Sequence, residues 1–422
     1  MKKTIIGSGQ YNLDTIVVRD YAKGQYKIPF RKRLALQEVG GTCGNVMCIL
    51  AWMGWDARPL ACLDDSEEGE RVAEDLQRYG CDCRHVTNRP DGGTTLLQCT
   101  HHRYADGTHR MSVRAGAPGG SRFPKRRYLR AQDEAPAFLA GLEETPAVFF
   151  FDDPSAGNRA LARGFRERGS LVYFEPSRIA SNADLEAVGL SDIIKFSDEN
   201  VPDVSFADAY ADKLFIQTLG AKGVRFKLKA QPWRTIDARE YGFIPAEVVD
   251  TEGAGDWFTA TLLNGLADQQ MKSMESLSSA DVWNACRRAM IWASHSVTHL
   301  GSLGLIRALQ MKEVVGSERC PWCDAILDDA WKMLPDEDRF GMGTKLFVVD
   351  WDLDRVVLST KPTEDPDAGI EYTIRTWNIS EDGVIDWTLF RMVDDGDGAM
   401  HGEELCSGTT DCSGCETPSE GN

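Results

Sequence analysis

Between residue 1 and about residue 317, short apolar runs of strand length alternate with stretches of helical periodicity, and this limits the fold more than any other feature. Strands are predicted at 4–7, 147–151, 171–174, 193–195 and 214–218, and helices at 68–79, 158–168 and 182–188. Strands joined through helices pair in parallel, and a parallel sheet needs cover on both faces. The expected fold class is therefore α/β, built on a doubly wound, mostly parallel sheet. Two stretches, about 14–38 and 94–114, break the pattern; both read as extended chain with polar alternation, and neither brings a helix. With 422 residues and 42% hydrophobic content, the chain can fill a sizeable core and is too long for one ordinary domain.

The residues with the clearest chemistry are Asp250-Thr251-Glu252-Gly253-Ala254-Gly255-Asp256, with a helix predicted to open on them. Two glycines around a small residue let backbone N–H groups point at one spot, and a helix N-terminus adds about half a positive charge there. That makes an anion site. A carboxylate beside a bound phosphate has an evident use, which is to take the proton from a hydroxyl attacking that phosphate. A bare Gly-x-Gly-Asp would more often be a helix-capping turn. The longer string favours catalysis.

Asp-Thr-x-Gly-Ala-Gly-Asp resembles the C-terminal motif of the ribokinase-like (PfkB) carbohydrate kinases. Gly40-Gly41-Thr42-Cys43-Gly44-Asn45, running into apolar 46–53 and then Gly54, is similar to that family's Gly-Gly element. The order and spacing of the two motifs fit, and the resemblance covers residues 1 to about 315. It implies an ATP-dependent kinase acting on a sugar hydroxyl, with Asp256 as general base and Gly253, Ala254 and Gly255 as the anion hole. It implies ATP and magnesium as cofactors, with K+ as a further candidate. It also implies that the two inserts form a small β lid over the sugar, where excluding water prevents wasteful hydrolysis of the nucleotide.

By the same resemblance, Asn12, Asp14, Gly40, Gly41 and Asn45 bind the substrate. Asn12 and Asp14 follow the first strand, where short polar side chains can hydrogen-bond vicinal hydroxyls or simply end a strand. Gly7-Ser8-Gly9 lacks the third glycine of a dinucleotide fingerprint, and no helix clearly follows it. Arg110 and Arg114 share one face of a lid strand. They could meet a sugar carboxylate or phosphate, or solvate the lid edge; Arg110 is retained as a candidate substrate contact. Asp152, Asp153 and Glu175-Pro176-Ser177-Arg178 follow strand ends, where doubly wound sheets bind ligands. The last string loosely resembles the Asp-x-Asn-x-Arg of fructokinase-like members. It tilts the expectation toward a free hexose, ketose or sugar acid.

The nucleotide side is expected from the C-terminal half. Residues 215–223 resemble the family's strand and Thr-x-Gly-x-x-Gly turn, which implies that Thr218, Gly220 and Gly223 line the ATP, joined by Thr251. Residues 282–297, behind Asp281 as candidate N-cap, read as the helix flanking adenine, with His295 on the nucleotide side. His295 and His299 lie one helical turn apart and could also bind metal, although no second ligand pair is near. One departure stands out: the family's Asn-x-x-Glu, which organises the magnesium waters, is Ser197-Asp198-Glu199-Asn200 here.

The net charge of −18 is unevenly placed. Residues 318–422 hold 25 Asp and Glu against 8 Lys and Arg, so the preceding residues are nearly neutral. An acidic tail argues against nucleic acid and anionic membranes as partners. The expected partners are a small-molecule sugar and, for a homodimer, a second copy of the chain. The tail also holds 5 of the 11 tryptophans, too many for disordered chain. Runs at 345–350, 355–360, 371–379 and 384–391 alternate like strands, with turns at 352–354 and 380–383, which predicts an antiparallel meander. Cys320, Cys323, Cys412 and Cys415 form two Cys-x-x-Cys pairs that could hold structural Zn2+, act in redox chemistry, or have no special role. The domains read as a kinase over 1–317 and an appended acidic β-rich module over 318–422.

The N-terminus carries two lysines but no apolar run long enough for a signal peptide, and no stretch approaches a membrane span. Cys43, Cys48, Cys62 and Cys286 read as core thiols, and a cytoplasmic location is expected. The alternatives to a sugar kinase are a nucleoside kinase on the same scaffold and a catalytically inactive sugar-binding regulator. A nucleoside kinase would want aromatic stacking from the lid, where Tyr104 reads as the sole aromatic. An inactive protein has little need of the intact Asp256 motif.

Overall fold

The computed structural model describes residues 3–21, 31–105, 109–238, 248–268, 274–315, 355–360, 372–379, 384–394 and 400–411. These fall into two compact units. The first takes in Met1–Ile236, Glu252–Ala289 and Gly301–Leu303, and the second Asp237–Thr251, Met290–Leu300 and Gly304–Asn422.

The chain opens with β1 (Thr4–Ser8), β2 (Asn12–Tyr21), β3 (Arg31–Gly40), α1 (Thr42–Trp52), β4 (Asp56–Pro59), β5 (Ala61–Leu63) and α2 (Glu67–Arg78). It continues through β6 (Val86–Asn88), β7 (Thr95–Tyr104), β8 (His109–Gly116), α3 (Glu134–Gly141), β9 (Val148–Phe151), α4 (Ala156–Glu167) and β10 (Leu171–Phe174). Then come α5 (Asn182–Leu190), β11 (Ile193–Ser197), β12 (Leu214–Thr218), β13 (Gly223–Leu228), β14 (Arg234–Asp237), α6 (Ala254–Asp268) and α7 (Ser279–Ser296).

The main sheet of eight strands runs β14-β13-β12-β11-β10-β9-β1-β4. Strands β4, β1, β9, β10, β11 and β12 are parallel, and β13 turns back antiparallel on β12. The period of two sorts their side chains. Phe149, Phe151, Val172, Phe174, Ile194 and Phe196 point to one face and pack with Leu161, Phe165 and Val188 of α4 and α5. Phe150, Tyr173, Ile193 and Lys195 alternate with them and point to the other. There Tyr173 and Lys195 reach α6, which packs against α1. The expected α/β class and parallel sheet are found. Strands β4, β13 and β14 were not anticipated, because Asp56-Ala57-Arg58-Pro59 and Arg234–Asp237 are short and carry charges.

The two inserts that lacked helices pair into one four-stranded sheet, β3-β2-β7-β8. Asp14 lies opposite Glu38 on one side and Leu97 on the other, and Leu97 lies opposite Ala115. The same ladder carries Ile16, Cys99 and Val113 as one row, and Val18, His101 and Met111 as the next. All of these share the face of Asp14. Thr15, Gln98 and Arg114, and likewise Arg19, His102 and Arg110, form rows of the opposite face. Tyr21 stacks on Tyr104 at 4.7 Å and on His102 at 5.7 Å, which corrects the expectation that Tyr104 is the sole aromatic there; the stack belongs to this second face.

Helix α7 begins at Ser279, not behind Asp281. Ser278 caps it, accepting from the Asp281 N–H while the Asp281 carboxylate accepts from the Ser278 N–H and hydroxyl. This reciprocal pair is a capping box, in which the acid sits three residues inside the cap. In the second unit, α8 (Gly304–Val315) precedes β15 (Arg355–Thr360), β16 (Tyr372–Ile379), β17 (Val384–Asp394) and β18 (Met400–Asp411), which pair antiparallel in chain order. The strand read at 345–350, both turns, and Cys320, Cys323, Cys412 and Cys415 lie outside the described residues. Strand β18 had no counterpart in the sequence reading, because its Gly, Ser and Thr content resembles a loop. Cys43, Cys48, Cys62 and Cys286 are buried thiols. Among the described residues no helix is long and apolar enough to cross a membrane.

Candidate active site

Gly253 has φ 77, and a Cβ there would lie 2.5 Å from Cβ of Ser302. Only glycine meets both conditions without strain. Its carbonyl accepts from the N–H groups of Asp256 and Trp257, both at 2.9 Å, and α6 starts at Ala254. The Trp257 indole, fully buried, donates to Ser302 O at 2.8 Å and locks the helix start in place. Gly255 is different: its conformation is ordinary, and a Cβ would meet only Nζ of Lys195, at 3.1 Å.

Asp256 stands on the first turn of α6, 9% exposed. Its Oδ2 accepts a 2.7 Å hydrogen bond from Nδ2 of Asn45 on α1. Burial pushes its carboxyl up to about 7, with Glu175 adding to the rise and the Asn45 amide and Lys195 opposing it. A carboxylate so poised can accept a proton near neutral pH.

Asn12 and Asp14 stand at the start of β2, and Gly40 and Gly41 join β3 to α1. Cβ atoms at these glycines would strike the Asp14 carboxylate and the Gln10 carbonyl, and Gly41 has φ 81. The glycines therefore let backbone and carboxylate meet. Three buried oxygens here, Asn12 Oδ1, Asp14 Oδ1 and Asn45 Oδ1, accept no hydrogen bond from the described residues. Asp14 is held well above the usual carboxylate range by burial, then by the charges of Glu252, Glu38 and Asp256. Glu38, directly opposite Asp14, accepts from the Tyr79 hydroxyl. Cys99 donates to Glu252 at 3.1 Å, which ties the Asp14 face of the second sheet to the 252–256 turn.

Asp152, at the end of β9, accepts from the N–H groups of Gln10 and Cys43, each at 3.0 Å. It thereby holds the loop before β2 and the start of α1 on one carboxylate. Its carboxyl is pushed up to about 7, mainly by burial, against those two N–H donors. The sequence offered only its position after a strand.

Arg110 is exposed and lies on the sheet face opposite Asp14, so the structure does not bring it to the other acceptor-site candidates. The spacing placed Arg110 and Arg114 on one face correctly but could not say which face.

Thr218 ends β12, and residues 219–222 turn into β13 with Gly220 at φ 56 and Gly223 at φ 115. The turn closes with the Leu219 N–H on Gly223 O. The Asp198 N–H donates to Thr218 O, which brings the Ser197–Asn200 turn alongside, with Glu199 exposed. Thr251 and His295 belong to the second unit. There, burial and His299 push the His295 imidazole down to about 4. Among the described residues no group of three or more His, Cys, Asp or Glu is placed to hold a metal.

A family model described as pfkB family carbohydrate kinase matches residues 33–307. The chain is 27% identical over 293 residues to the aminoimidazole riboside kinase of Salmonella typhimurium, covering 65% of this chain and 88% of that one. It is 26% identical over 255 residues to a fructokinase of Klebsiella pneumoniae, covering 55% and 78%. Among solved structures, the fructokinase with bound ATP from Xylella fastidiosa superposes with a TM-score of 0.53 over 74% of this chain and all of that one. At 17% identity that likeness shows the shared ribokinase-like fold. The chain belongs to the pfkB family of carbohydrate kinases and is an ATP-dependent kinase.

Proposed function

We propose that the enzyme transfers the γ-phosphoryl group of ATP to a hydroxyl of a neutral sugar, a free hexose or ketose. The observation that carries this reading is the trio of unpartnered acceptor oxygens on Asn12, Asp14 and Asn45. Buried acceptors need donors, and the vicinal hydroxyls of a sugar supply them. Asn45 links this cluster to the base, since its amide holds Asp256 by Nδ2 while its Oδ1 waits for a partner.

In this reading Asp256 takes the proton of the attacking hydroxyl, and the amides at the start of α6 hold the transferring phosphoryl group. Thr218, Gly220 and Gly223 line the nucleotide phosphates. Magnesium reaches such a site on the phosphates of ATP and neutralises their charge. Among the described residues no group of three or more His, Cys, Asp or Glu is placed to hold it apart from the nucleotide.

A sugar acid fits poorly. The charges of Glu38 and Glu252 would repel its carboxylate, and Arg110 lies on the other sheet face. A base to stack gains nothing from Tyr21 and Tyr104 for the same reason.

An ADP-release assay over free hexoses, ketoses, pentoses, sugar acids and nucleosides tests the reading. A neutral hexose or ketose is expected to give the highest kcat/KM. Preference for a sugar acid or a nucleoside would overturn the substrate assignment, and absence of any acceptor-dependent release would overturn the function.

A further inference from the structure

A lysine and a glutamate lie buried beside the catalytic turn; the sequence gave the lysine no task and placed the glutamate only in a strand-end string. Lys195 sits on β11 between Ile194 and Phe196, 3% exposed. Its period-two partner positions bring it to the α6 face of the sheet. Nζ donates to Oε1 of Glu175 and, at 3.0 Å, to the carbonyl oxygen of Gly255. The other carboxylate oxygen of Glu175 accepts from the Thr259 hydroxyl at 2.6 Å. Thr259 is one helical turn beyond Gly255 on α6. The cluster therefore grips α6 at two successive turns, and one of them is the turn that carries Asp256.

Burying a charge pair is seldom the most stable choice, since apolar residues of similar volume often do as well or better. A pair kept at this cost, with its cation on the backbone of the motif, has a use beyond packing. We propose that Lys195 and Glu175 are positioning residues for phosphoryl transfer: Lys195 fixes the Gly255 peptide of the anion-binding turn, and Glu175 fixes Lys195 and α6 while acting on Asp256 through its charge. This rests on Asp256 serving as the base.

Asp256 is faced by Glu175 after β10, Lys195 on β11, Asp152 after β9, Asp14 on β2 and Cys43 on α1, besides its bond to Asn45. Glu175 raises its proton affinity more than any other of these neighbours, and Lys195 lowers it. The signs give a test that a purely structural role would not pass. Glu175→Gln removes a negative charge and leaves Lys195 as an unopposed cation; both changes favour the Asp256 carboxylate. The acidic limb of kcat/KM for the sugar should then move to lower pH by about one unit.

The experiment compares the full-length enzyme with Glu175→Gln, Lys195→Met, Lys195→Arg and Thr259→Val. Glu175→Gln should shift the acidic limb downward with KM for both substrates within about threefold. Lys195→Met should lower kcat by about tenfold or more at unchanged KM, and Lys195→Arg, which keeps the cation, should recover a large part of it. Thr259→Val breaks a hydrogen bond but no charge, so it should lower Tm and leave the limb in place. The proposal is overturned if Glu175→Gln and Thr259→Val have the same pH profile, or if Lys195→Met keeps the parental kcat. Carbon-13 NMR titration of the Asp256 carboxyl in the unliganded protein, wild type against Glu175→Gln, reads the same shift without substrate. A missing shift there sinks the electrostatic role even if the kinase reading stands, and a shift seen there survives if that reading fails. Should Lys195→Met not fold, Lys195→Arg and the Glu175→Gln titration decide alone.

Discussion

The side-chain amide of Asn45 donates a 2.7 Å hydrogen bond to Oδ2 of Asp256, joining residues 211 positions apart in the chain. One residue belongs to α1, directly after the Gly40-Gly41 pair, and the other to the first turn of α6. In the proposed function the bond ties the acceptor-binding residues to the general base.

Asp256→Asn keeps volume and hydrogen-bonding capacity but cannot take a proton. Turnover should fall by roughly 10²- to 10⁴-fold, the range for a general base, with the affinity for ATP little changed. Steady-state kinetics with a binding titration check this, and activity within about threefold of the parent refutes the assignment.

The pH dependence has a definite sign. An unperturbed aspartate titrates near ~3.9, whereas Asp256 is raised to about 7. The base works when deprotonated, so kcat/KM should be full above that value and fall about tenfold per unit below it. A profile flat down to pH 5 would show that another group accepts the proton.

Asp14 and Asp256 should separate in kinetics. Asp14→Ala removes an acceptor oxygen offered to the sugar, so KM for the sugar should rise by about tenfold or more while KM for ATP stays within about threefold. Equal rises in both constants would place Asp14 in the scaffold rather than on the substrate.

Gly253 and Gly255 should differ although the motif treats them alike. At Gly253 a methyl group meets Ser302 at 2.5 Å in a left-handed conformation, so Gly253→Ala should cost Tm and about a hundredfold in turnover. At Gly255 the conformation is ordinary and the one near neighbour is a lysine ammonium. Gly255→Ala should therefore be the milder change, and the reverse order in a paired kinetic and thermal measurement contradicts this account.

We propose that 1–317 is the kinase domain and 318–422 an appended acidic module, on the uneven placement of charge and aromatics. A chain truncated after Ser317 should stay soluble and keep sugar-dependent turnover within about an order of magnitude. Aggregation, or loss of cooperative unfolding on a calorimeter, would mean that the tail completes the fold.

The sequence exposed what is local and repeated. Phe149 to Phe151 and Leu214 to Ile216 read as strands because both faces of a parallel sheet are buried and these runs are apolar throughout. Gly253 to Asp256 read as a site because glycine freedom and a helix start are written in consecutive residues. Lys195 and Glu38 carried no local signal, and Asp152 only its place after a strand, because their partners come from other strands and helices, tens of residues or more away. For Arg110 the spacing fixed the partner on its own strand but not the face, which depends on pairing with β7 and β2. The N-cap of α7 was misplaced by three residues because Ser278 and Asp281 are both good caps, and only the reciprocal bonds distinguish them.

The alternation in the second sheet also bears on how substrate preference could change over evolutionary time. Strand β8 carries Met111, Val113 and Ala115 toward the Asp14 side and Arg110 and Arg114 away from it. A one-residue slip of β8 against β7 exchanges those two sets. The inner surface would then gain two guanidinium groups without a single change of residue type, and the charge it tolerates in an acceptor would reverse. On the proposed neutral-sugar reading, a codon inserted or lost in that edge strand would be enough to turn the sheet face beside Asp14 toward anionic acceptors.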